Sequence, residues 1–166
     1  AFMYLARGAD TSQLACDAIR RWWNRMGQDL YWYAPQLLLL CDCGGSNGCR
    51  QYVFKEQLCY LARDLGCDIR VAHYPPGCSK YNPIEHRLFC HVSRAIQAVV
   101  LKTIYIARDF ISRTHTAQGL HVLSEVAYRL YQKGIKASQT FLDHNPIHFD
   151  SFLPQLNYTA PCLSLL

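Results

Sequence analysis

The sequence predicts an α/β layered domain. Short apolar runs of strand length alternate with helical patterns in the order strand, helix, strand, helix, strand, helix, an alternation that buries a sheet under helices. The run "PQLLLLCD" (35–42) is apolar at consecutive positions, which suits a central strand covered on both faces. At 166 residues, 51% hydrophobic and 17% charged, the chain is long enough for one core and has the composition of a folded domain.

Each element follows from its own pattern. "AFMYLARG" reads as the end of a strand that turns at Gly8. A helix then begins at Asp10, with Leu14, Ala18, Ile19, Trp22, Trp23 and Met26 at helical spacing and Gly27 as the stop. Asp10 with Gln13 three residues on fits an N-cap pair. After "PQLLLLCD", the turn "CGGSNG" leads into a second helix, whose face is Phe54, Leu58, Leu61 and Leu65 and whose stop is Gly66. "CDIRVAHY" is the next strand. The segment "YPPGCSKYNPIEHRLF" (74–89) then carries the signature of a helix start. Asn82 is the N-cap, Pro83 takes the first helical position, and Glu85 follows three residues after the cap. Ile84, Leu88, Val92, Ala95 and Ile96 form its stripe.

Further on the signal thins. Thr103 to Ser112 reads as helical, and Leu120, Val122, Val126 and Tyr128 suggest a two-residue period. "YQKG" turns the chain, and "HNPIHFDSFLPQLNYTAP" (144–161) reads as mostly irregular. The expected organisation is a body over 1–136 and an irregular extension over 137–166 packed on it.

The totals exclude several classes. No apolar run approaches the ~20 residues of a membrane helix, and no charged-then-apolar leader opens the chain, so a cytoplasmic protein is expected. The opening Ala1-Phe2-Met3 suggests numbering that begins inside a longer frame or on a trimmed product. None of the nine cysteines forms a Cys-x-x-Cys, so neither a zinc ribbon nor a thioredoxin-type pair is indicated. Buried free thiols are a better reading than a zinc site built from Cys41, Cys43 and a distant histidine. The net charge is +5, and all 17 Lys and Arg lie at or before Lys136. A basic body points toward a polyanionic partner.

In open α/β sheets, sites gather at the carboxyl ends of strands. Asp42 ends one strand and Glu85 opens the helix after the next, so both can face one edge of the sheet. Carboxylates placed this way can share a hard divalent cation and support phosphoryl transfer. Gly44, Gly45, Asn47 and Gly48 make a turn beside Asp42 that would admit a nucleic-acid backbone, or serve only as a tight connection. Lys80, Arg50 and Arg87 are candidate phosphate contacts, each also readable as a solvated surface charge. Glu85 could be the return half of a capping box as well as a ligand. Phosphodiester chemistry, a small-molecule α/β enzyme and a binding module all remain open on these residues alone.

The segments "DTSQLACDAIRRWWNRMG", "LLLLCDCGGSNG", "VAHYPPGCSKYNPIEHRLFCHVSR", "QKGIKAS" and "LNYTAP" change that balance. In this order the chain resembles the insertion-sequence DDE transposases of the Rhodopirellula type (the IS-Azo group) over nearly its whole length. "GGSNG" and "HYPPG-SK-NPIEHRLF" are the specific segments, and the "NPIE" run is also similar to the acidic motif of mariner-like transposases. The resemblance implies an RNase H-like three-layer fold with Mg²⁺ (or Mn²⁺) held by a DDE triad. Asp42 then matches the second acid and Glu85 the third.

The first acid of such folds lies on a first strand, whereas "FMYLARG" resembles the third. The resemblance therefore implies that the first two strands and the first Asp lie upstream, and Asp10 aligns with a helix-start residue instead. Cysteines flanking Asp42, Cys78 ahead of Ser79, and Tyr81 in place of a tryptophan are smaller departures from the family pattern.

By this resemblance the chain is expected to be a DNA transposase domain that cleaves and joins DNA at insertion-sequence ends, in a truncated and inactive form. Its partners would be transposon ends and target DNA, with a homo-oligomer as a further option, no membrane, and a place at the bacterial nucleoid. The alternatives are a non-catalytic DNA-binding or oligomerisation remnant, and a structure-specific nuclease on the same fold.

Overall fold

Two parallel strand pairs organise residues 1–162, the part of the chain described by the structure, a computed structural model. β1 (Phe2–Leu5) pairs with β4 (Leu123–Val126), with Phe2 opposite Leu123 and Leu5 opposite Val126. β2 (Gln36–Cys41) pairs with β3 (Asp68–His73), with Gln36 opposite Asp68 and Cys41 opposite His73. β6 (Asn157–Ala160) lies antiparallel on the other side of β3, and β5 (His148–Phe149) lies beyond it, giving the order β2-β3-β6-β5. The architecture is α/β with a mixed sheet, as the alternation of patterns predicts.

The first helical segment departs from its sequence reading at both ends. α1 (Ser12–Trp22) is capped by Thr11, whose hydroxyl accepts from the Leu14 N–H at 3.2 Å. Asp10 is not the cap; its carboxylate accepts from Ser46 Oγ at 2.7 Å. Nor does Gly27 stop the helix. The chain runs through a π-helical turn (Trp23–Gly27) into α2 (Gln28–Tyr31). A Cβ at Gly27 would stand 2.8 Å from Trp23 Cε3 and 3.1 Å from Trp22, so the glycine makes room for two indoles.

α3 (Tyr52–Leu65) connects β2 to β3 and follows its pattern closely. Phe54, Leu58, Leu61 and Ala62 are buried, and Gly66 closes the helix in the left-handed region at φ 69°. These residues join Cys16, Ile69, Val71, Phe141, Ile147, Tyr158 and Ala160 in the main core. A second, smaller core packs Leu88, Val92, Ile111 and Val122 against Met3 and Leu5 of β1. It is built by α4 (Cys90–Ile96), by α5 (Ile104–Ser112), which Thr103 caps, and by the approach to β4. The helix over Thr103 to Ser112 and the strand near Val126 thus lie where the sequence places them.

Two further expectations are corrected. β2 is not a central strand covered on both faces. It forms the edge of its sheet, with Leu38 56% and Leu40 49% exposed while Leu39 and Cys41 pack on the core. The stretch that reads as mostly irregular supplies α6 (Gln139–His144, capped by Ser138), β5 and β6. The thiols are only partly as expected: Cys16, Cys59 and Cys67 are buried, and the other six are half-buried. Among the described residues, no helix is long and apolar enough to cross a membrane.

Candidate active site

Because β2 and β3 run parallel and in register, they release the chain at the same edge. Cys41 stands opposite His73, and the Tyr74 N–H donates to the Cys41 carbonyl at 2.7 Å, extending the pairing one residue further. Asp42 is the next residue on β2 and is exposed. The chain then enters a 3₁₀ turn, Gly45–Asn47, in which Gly45 has φ 66°. The start of α1 holds this turn from the side. Ser46 Oγ donates to Asp10, and Ser12 Oγ donates to the Ser46 carbonyl at 2.6 Å. Gly48 is buried, and a Cβ there would lie 3.1 Å from the Cys43 carbonyl, so a side chain would press on the loop where it folds back on itself.

The main chain at Asp42 is fixed from beneath. His73 Nδ1 lies 2.9 Å from the Asp42 carbonyl, and His73 Nε2 lies 3.0 Å from the Tyr158 hydroxyl. A carbonyl only accepts, so Nδ1 carries the proton, Nε2 of the neutral ring accepts, and Tyr158 donates. Both side chains are buried, and burial holds the His73 pKa below its ordinary value, with Lys55 pushing the same way and the bond to Asp42 opposing. Burial also pushes the Tyr158 phenol well above the usual tyrosine range. The Lys55 ammonium sits 4.8 Å over the Tyr158 ring, donates to the Cys49 carbonyl, and is lowered by its own burial.

Glu85 lies on the chain that leaves β3. The chain passes through a 3₁₀ turn, Ser79–Tyr81, to Asn82, whose Oδ1 accepts from the Ile84 N–H at 3.3 Å. The Asn82 carbonyl accepts from the Glu85 N–H at 3.1 Å. Asn82 and Pro83 therefore open the helix, which continues as a π-helical turn over Glu85–Phe89. The reciprocal half of a capping box is not made. Among the described residues, neither the Glu85 nor the Asp42 carboxylate accepts a hydrogen bond or forms an ion pair. His86 Nε2 donates to the Lys80 carbonyl at 2.9 Å and braces the turn before Glu85.

The candidate cations do not form one group. Lys80 is exposed, with its ammonium 5.1 Å over the Tyr81 ring. Arg50 lines a cavity beside Cys43 and Cys49, whereas Arg87 lines an apolar cleft with Phe2, Leu39, Ile84 and Leu88.

Two carboxylate donors suit a hard cation such as Mg²⁺ or Mn²⁺ in kind. They do not complete a site. Among the described residues, no group of three or more His, Cys, Asp or Glu side chains is placed to hold a metal ion. This covers the cysteine-and-histidine zinc site as well. Pattern alone does not single out His73, Tyr158 and Lys55, although "VAHY" and "LNYTAP" contain the first two.

No curated protein and no solved structure matches the chain. A family model described as "Rhodopirellula transposase DDE domain" matches residues 1–161.

Proposed function

The chain belongs to the Rhodopirellula transposase DDE domain family, and from that premise we propose that it supplies two of the three acids of a DNA-cutting and strand-joining centre. Asp42 is the second acid and Glu85 the third, on an RNase H-like framework whose first two strands are not among these elements. The family implies divalent-metal dependence and a DNA substrate. Mg²⁺ or Mn²⁺, when bound, would supply charge neutralisation at the scissile phosphate. The remaining acid of the triad is not assigned among the described residues.

The observation that carries this reading is a pair of exposed carboxylates without a partner among the described residues, one directly after β2 and the other on the helix that follows its parallel neighbour β3. A carboxylate kept only for structure would be expected to accept bonds from its surroundings. The chain's own residues act by placement. His73 and Tyr158 hold the main chain at Asp42, and Asn82 and Pro83 set the helix mouth that presents Glu85. Lys80, with Arg50 and Arg87, offers positive charge to the phosphate backbone of transposon ends and target DNA in the bacterial nucleoid. Within the stretch from Ala137 to Cys162, Phe141, Ile147, Tyr158 and Ala160 brace the body over 1–136 through the main core.

The test is a nicking and strand-transfer assay on insertion-sequence ends with Mg²⁺ or Mn²⁺, in a form of the protein that supplies the first acid. Asp42→Asn or Glu85→Gln should abolish cleavage while DNA binding is largely kept. Cleavage by either variant at near the unsubstituted rate removes the assignment.

A second reading is a non-catalytic DNA-binding or oligomerisation remnant, favoured by the open edge of β2 and its exposed Leu38 and Leu40. Nicking by this chain alone would defeat it. A structure-specific nuclease would differ in product, releasing cut ends without joining them.

A further inference from the structure

We propose that Cys43 and Cys49 form a dithiol site that reacts with low-molecular-weight disulfides of the glutathione class and closes an intramolecular disulfide across the loop after Asp42. The inference goes beyond the transposase reading and does not rest on it.

The two thiols already meet. Cys43 Sγ lies 2.8 Å from Cys49 Sγ, and both residues are half-buried and unbonded to any other cysteine. The backbone between them is folded to bring this about. The Gly48 N–H donates to the Gly45 carbonyl at 3.3 Å, the Gln51 N–H donates to the Gly48 carbonyl at 2.9 Å, and Gly48 packs closely against the Cys43 carbonyl. Closing the bond therefore asks for little rearrangement of the chain.

A reagent can reach the pair. A cavity of about 730 Å³ is lined by Cys43, Cys49, Arg50, Gln51 and Pro76. The Arg50 guanidinium at its wall suits the carboxylates of a glutathione-type disulfide.

The two sulfurs have different roles. Cys43 Sγ donates its S–H to Cys49 Sγ. Cys49 receives the hydrogen bond, and the Lys55 ammonium is anchored on its carbonyl. Cys49, which also lines a neighbouring cavity with Arg50 and Lys55, is assigned as the attacking sulfur and Cys43 as the resolving one.

The Cys49 thiolate attacks one sulfur of the disulfide RSSR, forms the mixed disulfide and expels RS⁻. Cys43 then loses its proton and attacks Cys49 Sγ, expelling the second RS⁻. The two protein thiols are oxidised to one disulfide, RSSR is reduced to two RSH, and the two thiol protons end on the departing groups. The product locks the glycine-rich turn that leads out of β2.

The experiment uses the full chain, reduced and then equilibrated with excess oxidised glutathione, alkylated, and mapped by peptide mass spectrometry. The expected result is a Cys43–Cys49 link in the tryptic peptide that also contains Cys41, with Cys41 left open to alkylation. Cys43→Ser should accumulate a stable glutathione adduct on Cys49. Cys49→Ser should form its adduct on Cys43 at least about tenfold more slowly.

Full alkylation of both cysteines after equilibration, or a link to Cys41 instead, overturns the site. Equal adduct rates in the two variants overturn the roles. The mapping of the unsubstituted chain decides the pairing without relying on either variant's folding.

Discussion

Tyr158→Phe removes one oxygen from the deepest part of the site. The ring keeps its place in the core, but His73 Nε2 loses the hydroxyl donor at 3.0 Å and is left as a buried acceptor without a partner. Leaving such a group unsatisfied costs about 1–3 kcal/mol. For a chain of this size that lowers Tm by roughly 2–12 °C.

The pH dependence of this loss is its signature. Burial and the Tyr158 donor both favour neutral imidazole, so His73 has a folded pKa below its ordinary value of 6.5. Stability from that depression is complete above the unfolded pKa. It is lost as pH falls below that value, with a limiting slope of about 1.4 kcal/mol per pH unit for one proton. The loss stops growing once the folded pKa is passed.

In Tyr158→Phe the free Nε2 lone pair takes a proton more readily, so the variant loses less stability on acidification. The gap between the two proteins should be widest near neutral pH and should narrow toward about pH 5. The other six histidines are common to both proteins and drop out of the difference. Urea denaturation followed by circular dichroism at several pH values measures the gap. A gap that stays constant with pH, or a variant as stable as the parent, would refute the assigned proton on Nδ1 and the donor role of Tyr158.

Two further perturbations test the fold. Phe141→Ala empties a fully buried site in α6 and should cost about 3–5 kcal/mol by chemical denaturation. A loss under about 1 kcal/mol would mean that the segment after Ala137 is not part of the main core. Leu38→Lys with Leu40→Lys changes two exposed positions on the edge strand and should alter stability by only about 0.5 kcal/mol per site while improving solubility. A collapse of stability would show those side chains to be covered.

The elements legible in the sequence are those whose causes are local. α3 combines a helical stripe with a left-handed glycine cap at Gly66, and Asn82 with Pro83 writes a helix start into adjacent residues. What is not legible depends on neighbours. The leucine run of β2 is equally apolar whether a partner strand lies beside it or not, so sequence gives its length and not its edge position. Gly27 has the composition of a stop, and only the indoles of Trp22 and Trp23 explain why the helix passes through it. β5 and β6, of two and four residues, are too short to show a period.

The candidate site divides along the same line. Asp42 and Glu85 are legible as candidates because element order alone places one after each of two neighbouring strands, which pair in parallel. Their supports could not. Tyr158 lies 85 positions from the histidine it bonds, and Asp10 lies 36 positions from the serine it receives.

Those two long-range bonds bracket Asp42 from opposite directions. One runs through β6 and His73 to its carbonyl, and the other runs from the start of α1 to the turn that follows it. The side chain between them is left without a partner of its own. The surroundings therefore constrain the backbone at Asp42 while leaving its carboxylate available, which is the arrangement a ligand-bearing acid requires and a structural acid does not. The strand from Asn157 to Ala160 thus belongs to the site as much as to the sheet, because its tyrosine satisfies the Nε2 of the histidine whose Nδ1 proton the Asp42 carbonyl holds.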